Sequence, residues 1–185
     1  LLFALNVAMT LKPAFFGLGT EINHKFDGNE EALIVYATMF EKAVEGIKEV
    51  SPDTIVFINF QYEWMRGYHG GIFGGINDVN QDQFHQLAYF DSADIICFTT
   101  YPSLIFYEPE AMPFDYYDQI KDYTDLPIGF TEIGWHSEDR IAPEWESDEQ
   151  EQADFIDVYF ERTNTLKPLL NIWAFMFESI EVEPF

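Results

Sequence analysis

Short apolar runs that stop at polar clusters, four of the five bearing a glutamate, constrain this chain more than any other feature of its sequence. The first, Ala14-Phe15-Phe16-Gly17-Leu18-Gly19, ends in Thr20-Glu21-Ile22-Asn23-His24, and four more follow at Thr54–Tyr62, Ile95–Tyr101, Ile128–Gly134 and Ile172–Phe177. Runs of nearly continuous apolarity suit strands covered on both faces, and the helical stretches between them are long enough to return the chain to a parallel neighbour. Two architectures meet these demands, a doubly wound sheet and a (β/α)8 barrel.

The intervening segments read as helices. Leu1, Ala4, Leu5, Ala8 and Met9 fall at helical spacing before Lys12-Pro13, so the chain is expected to begin inside a helix. Asn29 can cap a second helix whose first turn holds Glu30 and Glu31 and whose inward stripe is Leu33, Tyr36, Ala37, Phe40, Ala43, Val44 and Ile47. Further helices are expected around Asp82–Phe90 and Asp115–Tyr123, and a last one opens at the capping box Ser147-Asp148-Glu149-Gln150 and runs to about Thr165. With 48% hydrophobic residues over 185 positions, one packed domain spanning 1–185 is expected.

Polar residues separate the two architectures. Glu21, Gln61-Tyr62-Glu63, Tyr101, Glu132 and Glu178 all stand where an apolar run ends, the carboxyl side on which barrel enzymes collect their chemistry. The glycine cluster Gly67–Gly75 lacks both the spacing of a dinucleotide site and the Lys-Ser/Thr of a phosphate loop, and it reads as a mobile or substrate-covering loop. The barrel is the expected fold.

A formal charge of −24 repels phosphate backbones and anionic lipid, so nucleic acid and membrane partners are excluded. No apolar run is long enough to span a bilayer, and a soluble chain is expected, secretion being left open. The single cysteine, Cys97, forms no internal disulfide and sits in an apolar run as a buried thiol. His24, His69, His85 and His136 show no zinc-ligand spacing, so neither a metal nor another cofactor is expected.

Glycosidic bonds are cleaved by two carboxyl groups facing one another across a sugar. Glu21, in Leu18-Gly19-Thr20-Glu21-Ile22-Asn23, and Glu132, in Gly129-Phe130-Thr131-Glu132-Ile133-Gly134-Trp135, each follow an apolar strand directly. The second segment resembles the seventh-strand nucleophile segment of glycoside hydrolase clan A. The first resembles the fourth-strand acid/base segment of the family 53 galactanases, and its Gly-Thr-Glu form that of the family 113 mannanases, with Thr20 in place of the usual Asn. Thr100-Tyr101-Pro102 resembles the sixth-strand end whose Tyr bonds the nucleophile, and Trp173 the eighth-strand sugar platform.

This resemblance implies a retaining glycosidase with Glu132 as nucleophile and Glu21 as acid/base, acting on a carbohydrate without a cofactor. Asn23, Tyr62, Tyr101, Trp135 and Trp173 are expected to contact the sugar. Glu63 and Glu178 are the alternative strand-end acids. It also implies a (β/α)8 TIM barrel that is incomplete, with strands 4 to 8 and their helices present, so that two parallel edges and the inner wall stay open unless an N-terminal segment or a second chain completes the ring. The 185-residue chain alone is then expected to be weak or inactive, and a carbohydrate-binding barrel without catalysis is the alternative function.

Overall fold

The structure is a computed structural model and describes residues 1–137 and 147–174. Five parallel strands pair strictly in chain order: β1 (Phe15–Gly17), β2 (Ile55–Gln61), β3 (Ile95–Thr100), β4 (Ile128–Ile133) and β5 (Leu170–Trp173). Each connection moves one strand in the same direction. That progression generates a barrel wall, whereas a doubly wound sheet reverses at its middle. Asn59 on β2 donates to Thr131 Oγ1 on β4 at 2.5 Å, skipping β3. Flat strands two places apart would be separated by about 9.6 Å, so two short side chains meet only because the sheet curls. The result is a half-barrel of five strands, an incomplete (β/α)8 wall.

The helices are α1 (Leu2–Leu11), the four-residue α2 (Ile22–Lys25), α3 (Glu30–Val50), the four-residue α4 (Tyr62–Met65) and α5 (Glu149–Thr163). Asn29 caps α3 as its sequence suggests, accepting from the Ala32 N–H at 3.2 Å, and the expected stripe is buried except for a half-buried Tyr36. For α5 the cap is Asp148, which accepts from the N–H groups of Gln150 and Glu151 at 2.8 and 2.9 Å. The expected cap Ser147 instead donates to His136 O at 2.7 Å. The helices expected around Asp82–Phe90 and Asp115–Tyr123 are 3-10 turns instead, Phe84–Phe90 and Asp118–Asp122.

An aromatic seam joins the outer face of the sheet to this layer. Phe40, Phe90, Phe60, Phe98, Phe130 and Tyr159 follow one another at centroid distances of 5.4 to 6.1 Å, spacings at which edge and tilted contacts are favourable. The outer strands differ from the inner ones. β1 is an exposed edge rather than the buried strand its apolar run suggests, with Phe15 43% exposed, whereas all six residues of β3 are buried. β5 starts two residues before the expected Ile172, and positions 175–177 of that expectation lie outside the described residues.

The glycine cluster after α4 is pinned. Tyr68 and Asn77 form an antiparallel bridge, Gly75 N–H donates to His69 O at 2.7 Å, and a Cβ at Gly67 would lie 2.2 Å from the Asp78 carbonyl. Cys97 is fully buried, and burial pushes its thiol up to about 12. No described helix is long and apolar enough to cross a membrane.

Candidate active site

Glu21 leaves β1 through Leu18-Gly19-Thr20 and precedes α2 with φ of 49°. That left-handed conformation costs a non-glycine residue on the order of 1 kcal/mol or more, so the surrounding structure must hold it. Asn59 does so by accepting from the Glu21 N–H at 2.9 Å. The Glu21 side chain then crosses to β3, where Oε1 accepts from Thr99 Oγ1 at 2.7 Å.

Glu132 reaches the same region from the other side. Along β3 and β4, Phe98 pairs with Phe130 but Thr99 pairs with Glu132, so Thr131 is an extra residue in the ladder. Such an irregularity breaks the strict alternation of a strand and lets neighbouring side chains share one face. Here Thr131 bonds Asn59 while Glu132 Oε2 accepts from the Tyr101 hydroxyl at 2.8 Å, and both lie on the inner side. Gly134 makes room for the Tyr101 ring: a Cβ there would lie 2.5 Å from Tyr101 Cε1.

The two carboxylates therefore engage groups two residues apart on β3 and its end. One bonds Thr99, whose register partner is Glu132, and the other bonds Tyr101. The Tyr101 phenol is raised above its ordinary range by burial first, then by its hydrogen bond to Glu132 and by the negative charges of Glu132, Glu21 and Glu63. A phenol that stays protonated in reach of three acids is a lasting donor.

Four residues expected at the sugar are committed elsewhere. Asn23 is fully buried: both hydrogens of its amide are donated, to Gln61 O and Gln83 Oε1, and Oδ1 accepts from the Gln61 N–H at 2.8 Å. Tyr62 is also fully buried, packs against Phe98 and Tyr117, and donates its hydroxyl to Tyr116 O. Trp135 is 1% exposed, lies 5.2 Å from Phe155 and donates to Ser147 Oγ at 3.2 Å. Trp173 turns to α5, its ring 5.1 Å from Tyr159 and 5.8 Å from Phe160, because it shares the outer face of β5 with Asn171, which accepts from the Tyr159 hydroxyl at 2.5 Å. Of the five expected contacts only Tyr101 lies at the carboxylates.

Glu63, an alternative reacting acid, is fully buried and surrounded by donors, which removes it from contact with a substrate; Glu178 lies outside the described residues. Asn59 and Thr99 were not singled out by sequence. Their signal is weak but real: each is a polar residue in a mostly apolar strand, and buried polar groups require partners.

Among the described residues, no group of three or more His, Cys, Asp and Glu side chains could hold a metal ion. Two clefts of about 520 and 530 Å³ share Lys121, Thr124, Asp125 and Leu126 in their walls. They lie before β4, at the amino ends of the strands, away from Glu21 and Glu132.

No protein-family model and no curated protein sequence matches this chain. Solved structures do match it. The catalytic domain of a GH53 protein from Ignisphaera aggregans superposes with a TM-score of 0.58 at 16% identity, covering 92% of this chain and 52% of that one. Fungal beta-1,4-galactanases give 0.59 at 15% identity, covering 94% and 56%. A beta-glucuronidase from Lactobacillus rhamnosus gives 0.56 at 12% identity, covering 92% and 28%. The chain thus spans about half the length of the galactanase structures that it matches. At these identities the likeness is one of fold: the chain has part of a (β/α)8 barrel, represented among the described residues by five parallel strands.

Proposed function

We propose that this chain supplies the catalytic wall of a retaining glycoside hydrolase acting on a β-linked poly- or oligosaccharide. The observation that carries the proposal is the convergence of Glu21 and Glu132 on Thr99 and Tyr101, along one side of β3. In this reading Glu132, with Oε2 tied to Tyr101, attacks the anomeric carbon through Oε1. The glycosidic bond breaks as Glu21 passes its proton to the leaving oxygen, which departs as an alcohol. The resulting glycosyl ester on Glu132 is then opened by water, whose proton returns to Glu21, and the sugar leaves with its anomeric configuration retained. Tyr101 donates to the nucleophile and takes no proton.

The open edges fit a ring completed by further βα units, on the same chain or on a second one. Beside β1, Leu2, Phe3 and Leu11 of α1 are 70% to 79% exposed; beside β5, Leu169 is 62% exposed. Apolar area of this kind next to an unpaired strand is the surface that another strand and helix would cover.

Release of reducing ends from β-1,4-galactan and β-mannan tests the reading, with proton NMR of the first anomer formed. Retained configuration is expected, together with a loss of at least about a thousandfold in Glu132→Gln and in Glu21→Gln. Turnover by Glu132→Ala at the wild-type rate would reject the assignment. Binding of these glycans without hydrolysis would select a carbohydrate-binding barrel instead.

A further inference from the structure

Beneath the carboxylate pair lies an acid that the proposed reaction does not use. Glu63, the second residue of α4, is fully buried. Its Oε2 accepts from Gln61 Nε2 at 2.6 Å and from the Tyr101 backbone N–H at 3.2 Å; its Oε1 accepts from Thr100 Oγ1 at 2.7 Å and from the Tyr116 hydroxyl at 3.2 Å. Thr100 Oγ1 in turn lies 2.9 Å from the Tyr117 hydroxyl. Each oxygen therefore has two partners, and two of the four come from consecutive residues at the carboxyl end of β3. An acid buried this deeply is costly, and a structural tie could be made with less. What distinguishes this one is what it grips: the backbone of Tyr101, whose hydroxyl is bonded to Glu132.

We infer that Glu63 is a positioning residue of the same site, acting through Tyr101: by accepting the Tyr101 N–H and the Thr100 hydroxyl it fixes the end of β3 so that the Tyr101 hydroxyl meets Glu132. The inference rests on the glycosidase reading for its consequence in catalysis, but not for the contact itself. The requirement is for an acceptor facing the Tyr101 N–H, not for negative charge. A glutamine can meet it, since Oε1 can face Gln61 and Tyr101 while the hydroxyls of Thr100 and Tyr116 rotate to accept from Nε2. A methionine of similar length offers no such acceptor and leaves the Tyr101 N–H buried and unpaired.

The test uses the full chain labelled with tyrosine carrying carbon-13 at Cζ, with the Tyr101 resonance assigned by its loss in Tyr101→Phe. In Glu63→Met this resonance is expected to move to the position that it takes in Glu132→Gln, while in Glu63→Gln it stays at the wild-type position. In turnover, Glu63→Met is expected to lower kcat by roughly tenfold to a hundredfold with KM within about twofold, and to add little further loss in a Tyr101→Phe background. Should Glu63→Met fail to fold, Thr100→Val removes one partner of the carboxylate and is expected to shift the Tyr101 resonance in the same direction by less. An unmoved Tyr101 resonance in folded Glu63→Met, or in Thr100→Val where Glu63→Met does not fold, overturns the inference. So does a kcat loss that multiplies in full with that of Tyr101→Phe. If this chain hydrolyses no glycan even with the βα units that complete its ring, the proposed function is refuted, and the resonance then decides the role of Glu63 alone.

Discussion

The middle of the sheet and its flanks follow different rules. Strands β2 to β4 are paired on both sides and supply Asn59, Thr99, Thr131 and Glu132, with Glu63 and Tyr101 just past their ends. Strands β1 and β5 are each paired on one side only among the described residues, and apolar side chains beside them face solvent. Glu21 is the exception that joins the two regions: it arises from the β1 edge but is drawn inward by Asn59 and Thr99. The site is thus assembled mainly by the part of the wall that is already complete, and the flanks are where additional strands would dock.

Substitutions should separate these regions sharply. Phe98 lies in the aromatic seam at 0% exposure, and Phe98→Ala is expected to lower stability by about 3–5 kcal/mol, as a cavity in a packed core does. Phe3→Ser, at a position 79% exposed on α1, is expected to change the stability of the isolated chain by less than about 0.5 kcal/mol. Urea unfolding curves for the two variants check both; equal losses would mean that the flank is as tightly packed as the centre.

A second probe of the middle is pH. Burial raises the Glu63 carboxyl above its ordinary value of 4.5, and hydrogen bonds from Thr100, Tyr101 and Gln61 pull it part of the way back. Because the folded-state value is raised, the contribution of the protonated acid to stability is fully present below about pH 4.5 and is lost as pH rises through the folded value. Unfolding curves across this range are expected to show that decline in the wild type and a flatter profile in Glu63→Gln. An identical profile in the two proteins would show that Glu63 does not titrate on folding.

A more modest effect than that of Phe98→Ala is expected at the joint between the regions. If φ of 49° at Glu21 is held against its intrinsic cost, Glu21→Gly should be more stable than Glu21→Ala by about 1 kcal/mol, since glycine adopts that conformation freely. Equal midpoints for the two variants would remove the strain.

The order of elements was legible in the sequence because apolar runs and the α3 stripe carry period and length, and because Asn29 states its own cap. The positions of Glu21 and Glu132 at the ends of apolar runs were legible in the sequence. The directions of the side chains expected at a sugar were not. Asn23 and Tyr62 fall in one-turn helices near the end of a strand, where neither strand nor helix alternation tells which way a side chain points. Trp135 follows a register shift in β4, and alternation along β5 groups Trp173 with Asn171 without telling which face of the strand is outward. Asn59 and Thr99 went unnoticed because polar residues within mostly apolar strands acquire meaning only when the sheet curls and brings their partners within reach.

The most direct measurement is the separation of the Glu21 and Glu132 carboxyl groups in a crystal structure of this chain bound to a β-linked galacto- or manno-oligosaccharide. A separation of about 5–5.5 Å, with the glycosidic oxygen between the two groups, is the expected result. A separation above about 6.5 Å, or a sugar bound away from both side chains, would contradict the paired-carboxylate retaining site.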